Sequence, residues 1–430
     1  LEENDIVFTK TSAKQASKFV GLAAPKGYDW SLKLEHNPWA EGKVVGILHG
    51  ETPQGMHYRL KYYGMYNELG TYKGEMLLKH KPPLSAFTIS FDAPQVALTP
   101  AVEESMTSLV QDIKDKRVVM VGESHTNRAH HANQLRIIQA MFAQDPNLVI
   151  ALEMVQKPFQ KYLDRYINKE IDLFTMLEKT EYYKRWKYDM YFYVDIFEFA
   201  REKGMKLLAM NQRKEVTRQT TKGGIASLSQ EEQEDLPETL DFSNKAYRER
   251  LNSFFKDAHG KESKMELDGT RLYQSQIIWD ETMADSVATY LRDNPSMRAV
   301  VLVGSGHLRN RDGIPTRIER RLGEKPYVII QDAEYTPDIA DKIIVTSPLY
   351  GLESPKLGVY LDYDTMKVTK IIEGKRGHTM GMEKDDIIIQ MNGRKIKGIE
   401  DLKLALFKAS YLEEPYTLRV KRGDREINLP

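Results

Sequence analysis

Val118-Val119-Met120-Val121-Gly122-Glu123-Ser124-His125 is the stretch whose reading decides the fold. Four apolar, mostly β-branched residues run straight into a glycine, a carboxylate and an imidazole. An uninterrupted apolar run closed by glycine predicts a strand buried on both faces. Gly122 is expected to let the chain turn sharply as it leaves the sheet. Thr126 or Asn127 then caps a helix whose apolar stripe is Leu135, Ile138 and Phe142. Glu123 and His125 therefore fall at the carboxyl end of a strand, where parallel sheets hold their ligands.

The pattern recurs along the chain. Leu148 to Leu152 ends in Glu153, Leu207 to Met210 ends in Asn211, and Ala299 to Val303 ends in Gly304-Ser305-Gly306-His307. Parallel pairing of these strands would gather Glu123, His125, Glu153, Asn211 and His307 along one sheet edge. Tyr327 to Ile330 is a candidate fifth strand. Helical stretches alternate with the strands from residue 99 to 335, which is the signature of an α/β domain.

Composition narrows the function classes. Lys plus Arg and Asp plus Glu are 62 each, so nothing favours nucleic acid or a basic membrane surface. Cysteine is absent, which excludes disulfides, thiol catalysis and cysteine-held metals. No stretch has the apolar length of a transmembrane helix. The chain starts at Leu1-Glu2 without Met, and any signal peptide or lipid-anchor cysteine would lie upstream of it.

Residues 1–98 read as a small β-rich extension. Its strand-like runs are Lys43 to His49, His57 to Tyr63, Gly74 to Lys79 and Ala86 to Phe91. His57 and His80 lie there without partners in the pattern and are read as surface or packing residues. Residues 222–268 are polar, with an acidic run from Glu231 to Asp235, and predict a loop followed by an exposed helix. Residues 336–350, with Pro337 and Pro348, predict a linker.

Three features of the middle of the chain carry chemistry. Tyr273, Ile277, Ala284, Val287 and Leu291 form a helical stripe with Asp280 in its midst, and a carboxylate on a buried face needs a partner, a cation or a metal. Tyr182 to Tyr193 holds five tyrosines and Trp186, interleaved with Lys184, Arg185 and Lys187. Flat rings beside cations suit a planar, anionic, hydrophobic ligand, and a tyrosine phenolate can ligate ferric haem. His130 and His131 are adjacent, so they cannot chelate one metal from a single helix face.

Residues 351–430 resemble a PDZ domain of the bacterial type. Leu357-Gly358-Val359 matches its carboxylate-binding loop and Met391-Asn392-Gly393 its Ile-Asn-Gly turn, with a helix expected from Ile399 to Ala409. Gly377 stands where a small Ala is usual, and Asp385 replaces the Gly of a Gly-Asp pair.

Residues from about 115 to 322 resemble the ChaN-type haem-binding lipoproteins, in the superfamily that includes the Tiki proteases. The resemblance rests on Gly122-Glu123-Ser124-His125 with His131, Glu153-Met154, an aromatic helix from Trp186 to Ala200, and Asn211 with Arg213. Gln276, Asp280 to Ala284, and Gly304-Ser305-Gly306-His307 with Gly313-Ile314-Pro315 complete it. It implies a mostly parallel α/β sheet flanked by helices, and an extracytoplasmic, often lipid-anchored protein of haem or iron uptake. Haem would be the cofactor, held by Tyr188, Tyr191, Tyr193 and Trp186 or by an edge histidine, with Lys184, Arg185 or Lys187 at the propionates. The alternative is a metal-dependent hydrolase. His125, Glu153 and His307 would hold a divalent ion, Glu123 would be the general base, and Asp280, Asn211 and His131 would orient the ligands. A third reading is an interaction protein whose Leu357, Gly358 and Val359 grip a C-terminal peptide. Expected partners are haem, a peptide or protein, and a second copy of the chain.

Overall fold

The computed structural model describes residues 106–259, 269–333, 338–346 and 354–430, together with seven strands before residue 105. Contacts divide the chain into two units, residues 1–109 with 344–353, and residues 110–343 with 354–430.

In the first unit β1 (Asp5–Thr11), β2 (Asp29–Glu35), β3 (Lys43–Thr52), β4 (Gly55–Asn67) and β5 (Gly70–Leu78) form an antiparallel sheet in sequence order. Three of the four expected runs lie in it, and β1 and β2 are additional. Ala86 to Phe91 and His80 lie outside the described residues, as does the side chain of His57. β6 (Gln95–Ala97) and β7 (Glu103–Glu104) pair antiparallel.

The second unit contains the expected parallel sheet. β8 (Val118–Glu123), β9 (Leu148–Gln156), β10 (Lys206–Asn211), β11 (Arg298–Gly304) and β12 (Tyr327–Gln331) are ordered β10-β9-β11-β8-β12, and neighbours in this order run parallel throughout. Every residue of β8 and of β9 is buried, as a sheet covered by helices on both faces requires. β13 (Lys342–Val345) follows β12 in the order and falls within the stretch expected as a linker.

One departure of spatial order from chain order makes the site. β11 is inserted between β8 and β9, with Gly304 opposite Glu123. Glu153 is on β9, the other neighbour of β11. Strand β9 does not stop at Glu153 but runs on to Gln156. Its register with β10 slips there, an advance of four positions from Leu152 to Gln156 facing one of two from Ala209 to Asn211. Such a bulge re-aims side chains at a strand end.

The role expected of Gly122 is corrected. It lies inside β8 without a positive φ. A Cβ there would stand 2.8 Å from Ser305 Oγ and 3.2 Å from the Ser305 Cα, so glycine is needed for the close approach of the Ser305–His307 turn. Asn127 caps the Arg128–Gln144 helix, its side chain accepting the Ala129 amide.

The single aromatic helix expected from Trp186 to Ala200 does not form, because the Tyr182–Tyr193 segment leading into it is broken. That segment is a single turn (Tyr182–Arg185), a bend, and a 3-10 turn (Met190–Phe192) before the Val194–Lys203 helix. Glu181 and Lys187 sit in the left-handed region (φ 51° and 71°), which interrupts helical hydrogen bonding. The polar stretch 222–268 does yield helices, but Tyr247 in the Lys245–His259 helix is fully buried rather than exposed.

The C-terminal segment forms an antiparallel sheet. β14 (Val359–Asp362), β15 (Lys367–Ile371), β16 (Ile387–Met391), β18 (Leu418–Arg422) and β19 (Arg425–Leu429) follow in that order, and β17 (Arg394–Lys395) pairs with β16. Asn392 and Gly393 both have positive φ, as a two-residue hairpin turn needs. The Ile399–Tyr411 helix closes the core with Leu402, Ala405, Leu406 and Ala409. Gly377 has a steric reason. A Cβ there would meet Val359 Cγ1 at 2.6 Å and the Leu357 carbonyl oxygen at 3.1 Å. Gly377→Ala is expected to destabilise the segment by about 1–3 kcal/mol through overpacking. Urea unfolding of the full chain, followed in this segment by hydrogen exchange, checks it; an unchanged stability refutes it.

Candidate functional site

The strand order assembles the predicted residues. Glu123 ends β8, and its Oε1 accepts from His125 Nδ1 at 2.5 Å. Gly304 fills the neighbouring strand end without a side chain, and its amide donates to Glu153 Oε2 at 2.7 Å. A Cβ at Gly304 would lie 2.9 Å from His125 Cε1 and 3.7 Å from Glu153 Oε2, so the gap left by glycine is where His125 and Glu153 approach each other. Glu123, His125 and Glu153 each offer a ligand atom within 4.8 Å of the others. Among the described residues Glu123 Oε2 is buried without a hydrogen-bond partner, a cost normally met by a cation or a donor. Asn211 supports the arrangement from β10, its Nδ2 donating to the Glu153 carbonyl at 2.7 Å.

His307 and Asp280 extend the site inward. His307 Nδ1 meets Asp280 Oδ1 at 2.5 Å, and Nε2 lies 3.4 Å from Glu153 Oε1. Asp280 is fully buried and also accepts from the Tyr247 hydroxyl at 2.5 Å. Burial alone would lower the pKa of His307, but the Asp280 and Glu153 carboxylates push it up to about 10. For Glu153, burial works upward and is overcome mainly by His307, so the carboxyl is held below its ordinary value. His125 is raised in the same way: burial opposes it, and Glu123 and Glu153 prevail. The candidate metal trio thus contains Glu123, with His307 braced between two carboxylates beside it.

The aromatic segment and the histidine edge are one site. His125 packs edge-on against Trp186 at 4.8 Å between ring centroids, and tilted at 45° against Tyr188 at 4.5 Å. Both rings are half-buried, whereas Tyr182, Tyr183 and Tyr193 are core residues. Tyr193 donates to Glu123 Oε1 at 3.4 Å, and burial together with the Glu123 charge holds its phenol well above the ordinary range. Tyr188 is raised by burial and by Glu123 and Glu153, which places its hydroxyl in the field of the site. Tyr191 lies apart, its ring under the Arg128 guanidinium at 4.3 Å. His131 is buried under Tyr193 at 4.3 Å, which lowers its pKa, with Nε2 3.4 Å from the His125 carbonyl. His130 serves the same loop, its Nδ1 accepting the Ser124 amide at 2.9 Å.

The cations divide. Arg185 is engaged by Glu181 at 2.7 Å, Glu215 at 3.0 Å and Gln156 at 2.8 Å, and Lys184 by Glu181 at 3.3 Å. Lys187 is exposed. Lys214, which the sequence reading missed, is lowered by burial and by the charges of Lys187, Arg185 and Arg218, the mark of a locally positive surface. Its only sequence signal is the apolar strand β10 placing the helix that follows Asn211. In the C-terminal segment, Leu357 is buried and Gly358 has φ 74°, with the Leu357 carbonyl accepting from the Gly377 amide at 2.6 Å.

Residues 109–318 match the family model described as haem-binding uptake, Tiki superfamily, ChaN. A curated relative is Protein RETICULATA-RELATED 5, chloroplastic, of Arabidopsis thaliana, 22% identical over 266 residues, or 56% of this chain. The chain spans only 34% of that protein's length. Among solved structures, one titled for cofacial heme binding to ChaN of Campylobacter jejuni aligns with a TM-score of 0.47 at 20% identity, over 60% of this chain and 97% of that one. An erythromycin esterase mutant in its open conformation aligns at 0.35 and 13%, over 60% and 83%.

Proposed function

We propose that the chain binds haem on the aromatic face at the carboxyl ends of β8, β9 and β11. The observation that carries this reading is the pair of half-buried rings, Trp186 and Tyr188, seated on His125 at the strand ends. Such a face offers apolar area with an accessible phenol. Tyr188 would supply the iron-binding oxygen and Trp186 the stacking surface, with Lys187 and Lys214 meeting the propionates. Tyr193 acts instead as a hydrogen-bond donor to Glu123. The residues present fit the group: an aromatic platform and an oxygen donor are contiguous in one segment, and Lys187 with Lys214 supplies a positive rim. The family matched by residues 109–318 supports the same ligand.

The reading extends to haem or iron uptake in an extracytoplasmic compartment. It also takes Leu357, Gly358 and Val359 as a peptide-carboxylate loop of PDZ type. A second reading is favoured by one observation, the partnerless Glu123 Oε2 beside His125 and Glu153, which would suit a divalent cation and hydrolytic chemistry.

Hemin titration of the full chain tests the proposal. Wild type is expected to give a saturable Soret band. Tyr188→Phe should change its spectral type or weaken binding by about tenfold or more, as loss of an axial ligand does. His125→Ala should weaken binding but keep the spectral type, since His125 seats the two rings. No saturable binding by wild type overturns the haem reading; retention of a divalent ion after dialysis, lost in Glu123→Gln, would then establish the second.

A further inference from the structure

We infer that residues 354–430 are a working part of the central site, bracing the turn that presents Tyr188. The Ile399–Tyr411 helix has two apolar faces. Leu402, Ala405, Leu406 and Ala409 belong to the core of its own sheet. Leu404, Phe407 and Tyr411 form a second stripe at spacings of three and four residues, and Leu404 and Phe407 are buried. That stripe packs on the Leu173–Lys179 helix of the α/β domain. Phe174 lies 6.1 Å from Phe407 and 5.8 Å from Tyr411 between ring centroids. Arg394 pairs with Glu178 at 3.1 Å along the same boundary.

Two further contacts reach the aromatic turn itself. Lys403 Nζ donates to the backbone carbonyl of Lys187 at 2.7 Å. The Ser354 hydroxyl donates to Asp189 Oδ2. The residue between them is Tyr188. Lys187 is in the left-handed region at φ 71°, a conformation that costs a non-glycine residue about 1 kcal/mol and needs outside support. Asp189 also accepts from the Tyr183 hydroxyl and from the Tyr191 amide, each at 3.1 Å. The C-terminal segment therefore clamps both flanks of Tyr188, and Ser354 and Lys403 are positioning residues that act through Lys187 and Asp189.

Two consequences follow from linkage. A ligand that engages Tyr188 must tighten the docking of residues 354–430, and anything that lifts the Leu404–Phe407–Tyr411 stripe must loosen the turn. The C-terminal segment thereby couples its own occupancy to the ligand affinity of the central site. This coupling to affinity rests on the haem reading; the brace does not.

Hydrogen–deuterium exchange on the full ligand-free chain separates the two. The double substitution Ser354→Ala and Lys403→Ala removes both clamps without touching either core. It should accelerate exchange of the amides of residues 186–193 about tenfold, the effect of losing two hydrogen bonds. Strands β8, β9 and β11 should be unchanged. Unaltered exchange in 186–193, or equal acceleration across the strands, overturns the brace. Phe407→Ser, which opens the stripe from the other side, should reproduce the pattern. Hemin titration is then added: the double variant should bind about tenfold more weakly with an unchanged spectral type, since Tyr188 itself is retained. A wild type that fails to bind hemin refutes the proposed function, and the exchange comparison still decides the brace.

Discussion

Replacing Asp280 with alanine is expected to cost about 3–5 kcal/mol of stability, the effect of removing one partner from a buried ion pair. Asp280 is fully buried, takes the Nδ1 proton of His307 at 2.5 Å and accepts from Tyr247 at the same distance. Its loss leaves the half-buried His307 imidazole and the fully buried Tyr247 phenol without their acceptor, and Glu153 alone cannot serve both. Asp280→Asn, which keeps an oxygen for Tyr247 but loses the charge facing His307, should fall between. Urea unfolding of the three proteins without added ligand gives the values. A loss below about 1 kcal/mol for the alanine variant, the scale of an ordinary hydrogen bond, would mean that the Tyr247–Asp280–His307–Glu153 chain does not organise the site.

Gly304→Ala should separate binding from folding. The backbone of Gly304 (φ −57°, ψ 136°) suits any residue, so the substitution acts only through the methyl group. That group would arrive 2.9 Å from His125 Cε1 and beside Glu153, forcing the imidazole away from the strand end. Stability should fall by about 1–3 kcal/mol, as for other overpacked sites. Ligand affinity should fall more, on the order of tenfold to a hundredfold, because groups that orient a site contribute on that scale. Gly306→Ala is the matched control, since nothing lies within 4 Å of the position its methyl group would take. Circular dichroism and hemin titration read the two effects, and equal hemin affinity in Gly304→Ala and wild type would exclude the strand-end histidine from the site.

The buried parallel sheet was legible because its signal is local. Each of β8, β9, β10 and β11 is an apolar run with a polar residue at or near its carboxyl end, and a parallel sheet brings those ends to one edge. Asp280 was legible for the same reason, as a charge on an otherwise apolar helical stripe. Its partner Tyr247 was not, because it comes from a stretch whose composition is that of an exposed loop and helix, and only packing buries it.

The sequence alone thus determined the α/β architecture and which polar residues reach the strand ends, since hydrophobic periodicity and chain direction suffice for both. Only the tertiary structure decided how they combine. Inserting β11 between β8 and β9 put a glycine between Glu123 and Glu153, so the trio of potential ligands includes Glu123 while His307 turns to Asp280. Left-handed residues at Glu181 and Lys187 broke the aromatic run, sending Tyr182, Tyr183 and Tyr193 into the core and leaving Trp186 and Tyr188 on His125. Strand order and the burial of one ring rather than its neighbour depend on contacts between residues far apart in the chain, which no local pattern encodes.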